Sequence, residues 1–187
     1  MPLTEMAAAV FAAGGRWLLL REKDLAPDAR ADLVRALVET ARPHGARVSV
    51  SADVAAAGLA HGLHLPRDGD IITARRTLGP TALIGLSAHD RDEAERAVRD
   101  GADYVTLSPI FPSASKPGYG PALGPTALHE IASALPIPVL ALGGVTAANA
   151  ADCLAAGAAG LAVMGSVMAA ADPGAAMVDL LRVLPNS

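Results

Sequence analysis

The stretch Tyr104-Val105-Thr106-Leu107-Ser108-Pro109-Ile110-Phe111-Pro112-Ser113-Ala114-Ser115-Lys116-Pro117-Gly118 decides how the rest of the chain is interpreted. An apolar strand, Tyr104 to Leu107, runs directly into a loop that carries hydroxyls, one lysine and several prolines. Ser113, Ser115 and Lys116 suit an anionic ligand, because hydroxyls donate to phosphate oxygens and an ammonium group supplies a point charge. An ordinary solvated loop is the alternative for this segment taken alone.

Further apolar runs of strand length occur along the chain, each followed by polar or glycine-rich residues and then by a helical pattern. With the opening strand, the predicted strands are Trp17–Leu20, Val48–Val50, Gly62–Leu65, Leu83–Ser87, Tyr104–Leu107, Pro138–Leu142 and Gly160–Met164. Strands that alternate with helices predict right-handed βαβ units and a parallel sheet. Helix starts are predicted at Pro27, after Asp90 and after Thr146.

Two architectures fit this alternation: a doubly wound open sheet and a TIM-type (β/α) barrel. We favour the barrel because polar residues follow nearly every strand, and the strand ends of a barrel converge on one face. A doubly wound sheet gathers its ligand residues near one switch point, and no G-x-G-x-x-G follows the first strand. No linker or composition shift divides the chain, so we predict one barrel domain over residues 1–187.

The predicted barrel lacks its first strand, because the chain begins with an Ala-rich helical pattern ahead of the Trp17 strand. A small barrel closes with about eight strands, one more than the sequence offers. Open strand edges invite pairing with another chain. An open barrel, a homodimer that covers the gap and a shortened N-terminus are the alternatives.

The composition narrows the classes of function. The chain has 187 residues, of which 52% are hydrophobic, enough for a sizeable core. A net charge of −4 and the lack of a basic run argue against nucleic-acid binding. The sequence has no apolar run of about 18 residues, so it predicts no membrane span. The N-terminus does not resemble a secretion signal, and the single Cys153 excludes an internal disulfide, so we expect a cytoplasmic protein.

Glycines follow the last two predicted strands. Strand ends of this kind present backbone N–H groups to one point, which is where barrels commonly bind phosphate, and glycine lets the anion approach. The predicted phosphate site consists of Gly143, Gly144, Met164, Gly165 and Ser166. The alternative is that these glycines only turn the chain.

Other strand ends carry further candidate ligands. Arg21 and Lys23 alternate after the first strand and could both face the barrel mouth, or could pair with neighbouring acids in a solvated loop. His64 lies on a short apolar strand, where a lone histidine is more often a core residue than a catalyst. Asp68 and Asp70 could bind Mg²⁺, which prefers carboxylates and substrate phosphates, or could cap the following helix.

Six motifs resemble, in order and spacing, those of the thiamine phosphate synthase and TenI (thiazole tautomerase) superfamily, whose members are (β/α)₈ barrels. Leu20-Arg21-Glu22-Lys23 resembles the family's Q-L-R-E-K, Gly62-Leu63-His64-Leu65 its G-V-H-L, and Gly85-Leu86-Ser87-Ala88-His89 its G-V-S-x-H. The run Ser108 to Lys116 resembles G-P-I-F-P-T-x-T-K. Leu142-Gly143-Gly144-Val145 and Gly160-Leu161-Ala162-Val163-Met164 resemble I-G-G-I and G-V-A-V-V/M.

The resemblance implies a reaction that joins hydroxymethylpyrimidine diphosphate to thiazole phosphate and releases pyrophosphate. It implies that Lys116, Ser115 and Arg21 are catalytic at the diphosphate. The implied substrate-binding residues are Lys23, His64, Ser87, Ser108 and Ser113, and the predicted phosphate site would hold the thiazole phosphate. Mg²⁺ is the implied metal.

The sequence departs from the family at the metal site. The synthases carry Asn-Asp after their third strand, where this sequence has Ser49-Val50, and Gln-Glu-Asp after G-V-H-L, where it has Pro66-Arg67-Asp68-Gly69. Mg²⁺ binding then depends on Asp68 or Asp70. The tautomerases use a histidine where this chain has Pro109. We expect the synthase reaction, with a tautomerase using Ser108 or His64, and a non-catalytic phosphate-binding protein, as alternatives.

Overall fold

One parallel sheet organises the part of the chain that the computed structural model describes, residues 1–112 and 120–182. Its seven strands lie in chain order, and each pairs with the next. They are β1 (Trp17–Leu20), β2 (Arg47–Ser51), β3 (Gly62–Leu65), β4 (Leu83–Ala88), β5 (Tyr104–Leu107), β6 (Val139–Leu142) and β7 (Gly160–Ala162). This unbroken order is that of a TIM-type barrel, because a doubly wound sheet reverses its strand order. The predicted fold class is therefore confirmed.

Helices connect successive strands. They are α1 (Leu3–Ala12), α2 (Pro27–Ala41), α3 (Val54–Ala57), α4 (Ile71–Leu78), α5 (Arg91–Arg99), α6 (Gly124–Ala134), α7 (Ala150–Ala155), α8 (Gly165–Met168) and α9 (Pro173–Leu181), with a 3₁₀ turn over Arg42–His44. No helix in the described ranges is long and apolar enough to cross a bilayer.

Local signals set most helix starts. Pro27 occupies the first turn of α2, as predicted. Asp90 caps α5 by accepting a hydrogen bond from the Glu93 N–H at 2.8 Å. The predicted cap at Thr146 is wrong: α7 begins at Ala150, because Thr146 to Asn149 form a turn closed by the Asn149 side chain.

The two faces of the sheet differ in chemistry. The face toward the helices is apolar, and its side chains are at most 6% exposed: Leu20, Val48, Val50, Leu63, Leu65, Ile84, Leu86, Val105, Leu107 and Val139. The concave face carries Ser49, His64, Ser87, Tyr104 and Thr106. Side chains alternate along a strand, so burial of one set against the helices directs the other set into the barrel interior.

The barrel is open between β1 and β7, and no ladder joins these two strands in the described part of the chain. Trp17 and Leu19 of β1 keep 37% and 43% of their surface exposed. Helix α1 precedes β1, so the predicted order of a first helix followed by seven strands is confirmed.

Candidate active site

The carboxyl ends of the strands form the candidate site, as expected for this fold. Arg21 follows β1, Pro66 follows β3 and Ser108 follows β5. The glycine pair Gly143-Gly144 follows β6, and Gly165 lies three residues after β7. The loop after β5 is joined directly to the end of β6: the Ile110 N–H donates to Leu142 O at 2.9 Å.

A buried polar cluster lies beneath this mouth. His64 is 4% exposed, with Nδ1 3.0 Å from the Tyr104 hydroxyl and Nε2 3.0 Å from the Ser87 hydroxyl. The Thr106 hydroxyl lies 3.3 Å from the same Nε2 atom. Both imidazole nitrogens are therefore occupied, and any influence of His64 on a ligand passes through Ser87, which is half-buried.

The environment of His64 keeps it neutral. Burial lowers the pKa of its imidazole from 6.5 to about 4, because an apolar surround disfavours the charged form. Burial also raises the pKa of the Tyr104 phenol. Neither group carries charge at neutral pH, so the cluster acts by hydrogen bonding.

The cluster is supported from the amino end of the barrel. The Trp17 indole N–H donates to the Ser49 hydroxyl at 2.8 Å, and the Trp17 ring packs edge-on against Tyr104 with centroids 4.7 Å apart. Gly85 makes room for this packing, because a Cβ there would lie 2.0 Å from the Tyr104 ring. These contacts fix the phenol that holds His64.

His89 holds the start of the loop that follows β5. Its Nδ1 lies 2.8 Å from Ser108 O and 3.3 Å from the Ser108 hydroxyl. Ser108 is 7% exposed. The predicted ligands Ser113, Ser115 and Lys116 lie outside the described residues.

The pair Gly143-Gly144 has no room for side chains. The φ angles are +91° and +64°, values that favour glycine. A Cβ on Gly144 would lie 2.5 Å from Pro112 O and 2.6 Å from Phe111 O. Asn149 fixes the turn from the other side, since its Nδ2 donates to Gly144 O at 2.9 Å and its Oδ1 accepts from Thr146 N at 2.8 Å.

The remaining residues of the predicted phosphate site, which follow β7, lie at an open surface. Met164, Gly165 and Ser166 are exposed. A Cβ on Gly165 would meet no atom within 4 Å, so packing within the protein does not require glycine there. The strand β7 ends at Ala162, two residues earlier than predicted, and Met164 therefore lies in the loop.

Arg21 and Lys23 lie in an exposed loop between β1 and α2. Arg21 directly follows β1. The loop carbonyls of Glu22 and Leu25 accept hydrogen bonds from Arg30 on α2.

The predicted metal ligands occupy the loop after β3. Asp70 caps α4, because its Oδ1 accepts from Thr73 N at 2.8 Å; the predicted capping role is confirmed. Asp68 is exposed. No group of three or more His, Cys, Asp or Glu side chains in the described part of the chain could enclose a metal ion. Mg²⁺ commonly uses one or two carboxylates together with substrate phosphates and water, and the carboxylates of Asp68 and Asp70 are of that ligand type.

The expected position of the family's Asn-Asp pair was wrong. Ser49 and Val50 lie inside β2, because the strand extends to Ser51. The acid that follows β2 is Asp53, which caps α3 and forms an ion pair with Arg30. Asp53 is therefore already paired with a cation.

Sequence reasoning missed several residues that shape the site. Tyr104, Thr106, Ser49 and Trp17 look like ordinary strand residues, because only the strand register brings them to His64. Arg30 carries no local signal. Asn149 follows a glycine pair by five residues, and that spacing alone does not distinguish a turn-closing side chain.

Comparison with known proteins agrees with the geometry. The model of the family described as thiamine monophosphate synthase matches residues 1–167. The chain is 40% identical to a thiamine-phosphate synthase of Roseiflexus castenholzii over 97% of this chain and 81% of that protein. It is 42% identical to one of Halorhodospira halophila over 96% of this chain and 87% of that protein.

A solved structure has the same fold. Thiamine phosphate pyrophosphorylase from Pyrococcus furiosus superposes with a TM-score of 0.89 and 28% identity, over 97% of this chain and 89% of that one. A family match over most of the chain, relatives at about 40% identity and this superposition agree with the six motifs at the strand ends. The chain therefore belongs to the thiamine monophosphate synthase family.

Proposed function

We infer that this protein is an enzyme that makes thiamine phosphate from hydroxymethylpyrimidine diphosphate and thiazole phosphate, with release of pyrophosphate. The observation that carries this conclusion is the 40% identity with a thiamine-phosphate synthase over 97% of the chain. The mouth described above supports it, because it combines a glycine turn suited to phosphate with cationic residues after β1.

The chemistry breaks one bond and forms one. The thiazole nitrogen donates its electron pair to the pyrimidine methylene carbon, and the C–O bond to the diphosphate breaks with its electron pair on the leaving oxygen. No oxidant or reductant is needed. The protein's task is to align the nitrogen with the methylene and to stabilise charge on the leaving group.

We assign the diphosphate to the side of the mouth near β1 and β5. Arg21 and Lys23 supply positive charge there, and we assign Ser113, Ser115 and Lys116, which follow β5 in the sequence, to the same ligand. Ser87 and Ser108 offer hydroxyl groups near the pyrimidine, and His64 orients Ser87. These roles follow the positions of the family motifs.

We assign the thiazole phosphate to Gly143, Gly144, Met164, Gly165 and Ser166. Open space at Gly165 and the left-handed turn at Gly143-Gly144 support this assignment. Backbone N–H groups bind phosphate without placing a cation beside the reacting nitrogen.

We propose that Asp68 and Asp70 hold Mg²⁺ together with the diphosphate. Bound Mg²⁺ would neutralise charge that develops on the leaving pyrophosphate. Both carboxylates lie between β3 and α4, after the carboxyl end of a strand.

We also propose that the protein works in the cytoplasm and forms a homodimer. Buried, unpaired Cys153 fits a reducing compartment. Exposed Trp17 and Leu19 beside an open strand edge give a second copy an apolar surface to cover.

Titration calorimetry with each substrate tests the proposed function. We expect thiazole phosphate to bind without Mg²⁺ and hydroxymethylpyrimidine diphosphate to bind more tightly with it. Binding of thiazole phosphate alone, unaffected by Mg²⁺, would instead favour the non-catalytic phosphate-binding protein.

A further inference from the structure

Arg30 joins the loop after β1 to the loop after β2. Its Nε donates to Glu22 O at 2.9 Å, and its second terminal nitrogen donates to Lys23 O at 3.3 Å and Leu25 O at 2.7 Å. The first terminal nitrogen forms an ion pair with Asp53 Oδ2. One guanidinium therefore holds three carbonyls of the β1–α2 loop and one carboxylate of the β2–α3 loop.

The β1–α2 loop depends on these bonds for its shape. In the described part of the chain, no backbone–backbone hydrogen bond outside helices and strands involves residues 22–25. The Arg30 side chain is only 18% exposed. A planar fork of five donors suits this task, because a single ammonium group cannot match four acceptors in fixed directions.

The acceptor in the β2–α3 loop, Asp53, is itself held firmly. Asp53 Oδ1 accepts from Ala56 N at 2.9 Å, which leaves Oδ2 for Arg30. The preceding residue, Ala52, has φ of +60° and is the one non-glycine residue with positive φ among the described residues. Backbone strain of this kind persists where the surrounding structure over-determines a conformation, and it is concentrated at functional sites.

Arg30 has little capacity left to bind substrate. A guanidinium has five donor hydrogens. The four bonds described above use four of them within the protein. Its effect on a ligand must therefore pass through the loop that it holds. Arg21 and Lys23 flank the Glu22 carbonyl that accepts from Arg30 Nε.

We propose that Arg30 is a positioning residue that sets the β1–α2 loop so that Arg21 and Lys23 reach the diphosphate of the substrate. The proposal rests on the proposed function for the identity of that substrate. It assigns Arg30 to the diphosphate half of the site and leaves the thiazole phosphate half, on β6 and β7, independent of it.

The test compares Arg30→Gln, Arg30→Lys and the wild-type protein. The matched control is Arg35→Gln, which removes an ion pair from the same helix; Arg35 and Asp32 are 2.8 Å apart with side chains 58% and 78% exposed. The probes are inorganic pyrophosphate in a binding titration and both substrates in steady-state kinetics. Hydrogen exchange of residues 21–26 reports the loop directly.

We expect Arg30→Gln to weaken pyrophosphate binding about 10- to 100-fold, the scale of a catalytic group displaced by about an ångström. The KM for the pyrimidine diphosphate should rise, and the KM for thiazole phosphate should not. Amides 21–26 should exchange faster. Arg30→Lys should recover only part of the loss, and Arg35→Gln should match the wild type.

A double-mutant cycle separates positioning from general destabilisation. If Arg30 acts through Lys23, then the double variant Arg30→Gln with Lys23→Ala should lose less pyrophosphate affinity than the product of the two single fold-losses. Fully multiplicative losses would overturn the proposal. So would unchanged pyrophosphate affinity with unchanged exchange in the loop.

A second variant covers the case in which Arg30→Gln does not fold. Asp53→Asn keeps the α3 cap, since Asn is as good a cap as Asp, but removes the charge that holds Arg30. It should weaken pyrophosphate binding in the same direction, and wild-type affinity would count against the proposal. A wild-type protein that binds pyrophosphate but makes no thiamine phosphate would contradict the proposed reaction and still leave the Arg30 comparison decisive.

Discussion

His64 Nε2 lies 3.0 Å from the Ser87 hydroxyl across the ladder between β3 and β4. The same ring is fixed on its other side by Tyr104, 3.0 Å from Nδ1. A neutral, buried imidazole thus directs a hydroxyl toward the mouth of the barrel. This arrangement ties the stability of the core to the geometry of the site.

The first prediction concerns pH and stability. Burial lowers the pKa of His64 from its ordinary value of 6.5 to about 4 in the folded protein, so the unfolded chain binds the extra proton between these values. The free energy of unfolding should therefore fall as pH decreases from 6.5 toward 4 and be insensitive to His64 above that window. Between pH 7 and pH 5 the loss attributable to His64 should be about 2 kcal/mol.

Urea denaturation at both pH values measures this difference. In His64→Gln, most of the decrease in the free energy of unfolding between pH 7 and pH 5 should be absent. His129→Gln, a change on an exposed helical position, should show the same pH dependence as the wild type. A His64→Gln variant with the full wild-type dependence would show that another group is responsible.

The second prediction concerns the glycine turn. Gly144→Ala should destabilise the fold by more than about 3 kcal/mol, combining the cost of positive φ with a clash against backbone oxygens. Gly45→Ala measures the cost of positive φ alone, because Gly45 has φ of +60° and a Cβ there meets nothing within 4 Å. Thermal or urea unfolding of both variants gives the comparison. Equal losses in the two variants would remove the argument for close packing at Gly144.

The third prediction concerns Gly165. Because a Cβ at Gly165 meets no protein atom within 4 Å, Gly165→Ala should leave the free energy of unfolding within about 0.5 kcal/mol of the wild type. Thiazole phosphate binding should nevertheless weaken, since the methyl group would enter the space assigned to the phosphate. Calorimetry that finds wild-type affinity would place the phosphate elsewhere.

The fourth prediction concerns the lysines. The chain contains two, Lys23 and Lys116, and both are assigned to the diphosphate. Acetylation with an amine-directed reagent should abolish turnover, and the pyrimidine diphosphate with Mg²⁺ should protect both lysines, as read by mass spectrometry. Lys116→Ala should likewise abolish turnover. A fully acetylated protein that retains activity would exclude both lysines from the reaction.

The fifth prediction concerns the metal. Asp68→Asn should raise the Mg²⁺ concentration needed for half-maximal turnover about tenfold or more, since a carboxylate ligand would be lost. Asp172→Asn is the control, because Asp172 caps α9 and is not one of the two carboxylates assigned to the metal. Identical Mg²⁺ dependence in the two variants would refute the assignment of Asp68.

The sequence was most informative where a signal is local. Apolar runs of strand length located β1 and β5 at their observed bounds, and Pro27 and Asp90 marked helix starts, because capping and proline geometry depend on neighbours in the chain. Polar residues after successive strands predicted the mouth. These features follow from short-range chemistry.

The contacts that the sequence did not predict depend on tertiary structure. Tyr104 reaches His64 across two ladders, and Arg30 meets Asp53 from a different helix, so neither contact has a sequence spacing that identifies it. The Asn-Asp correspondence failed at Ser49 because the length of β2 was underestimated. Strand ends are set by pairing with neighbours as much as by local preference.

Product formation by the purified wild-type protein tests the central claim most directly. Hydroxymethylpyrimidine diphosphate, thiazole phosphate and Mg²⁺ would be mixed with enzyme, and thiamine phosphate and pyrophosphate would both be quantified against a no-enzyme control. The account predicts the two products in equal amounts, formed over many turnovers. Absence of thiamine phosphate, with both substrates bound in the calorimeter, would contradict it.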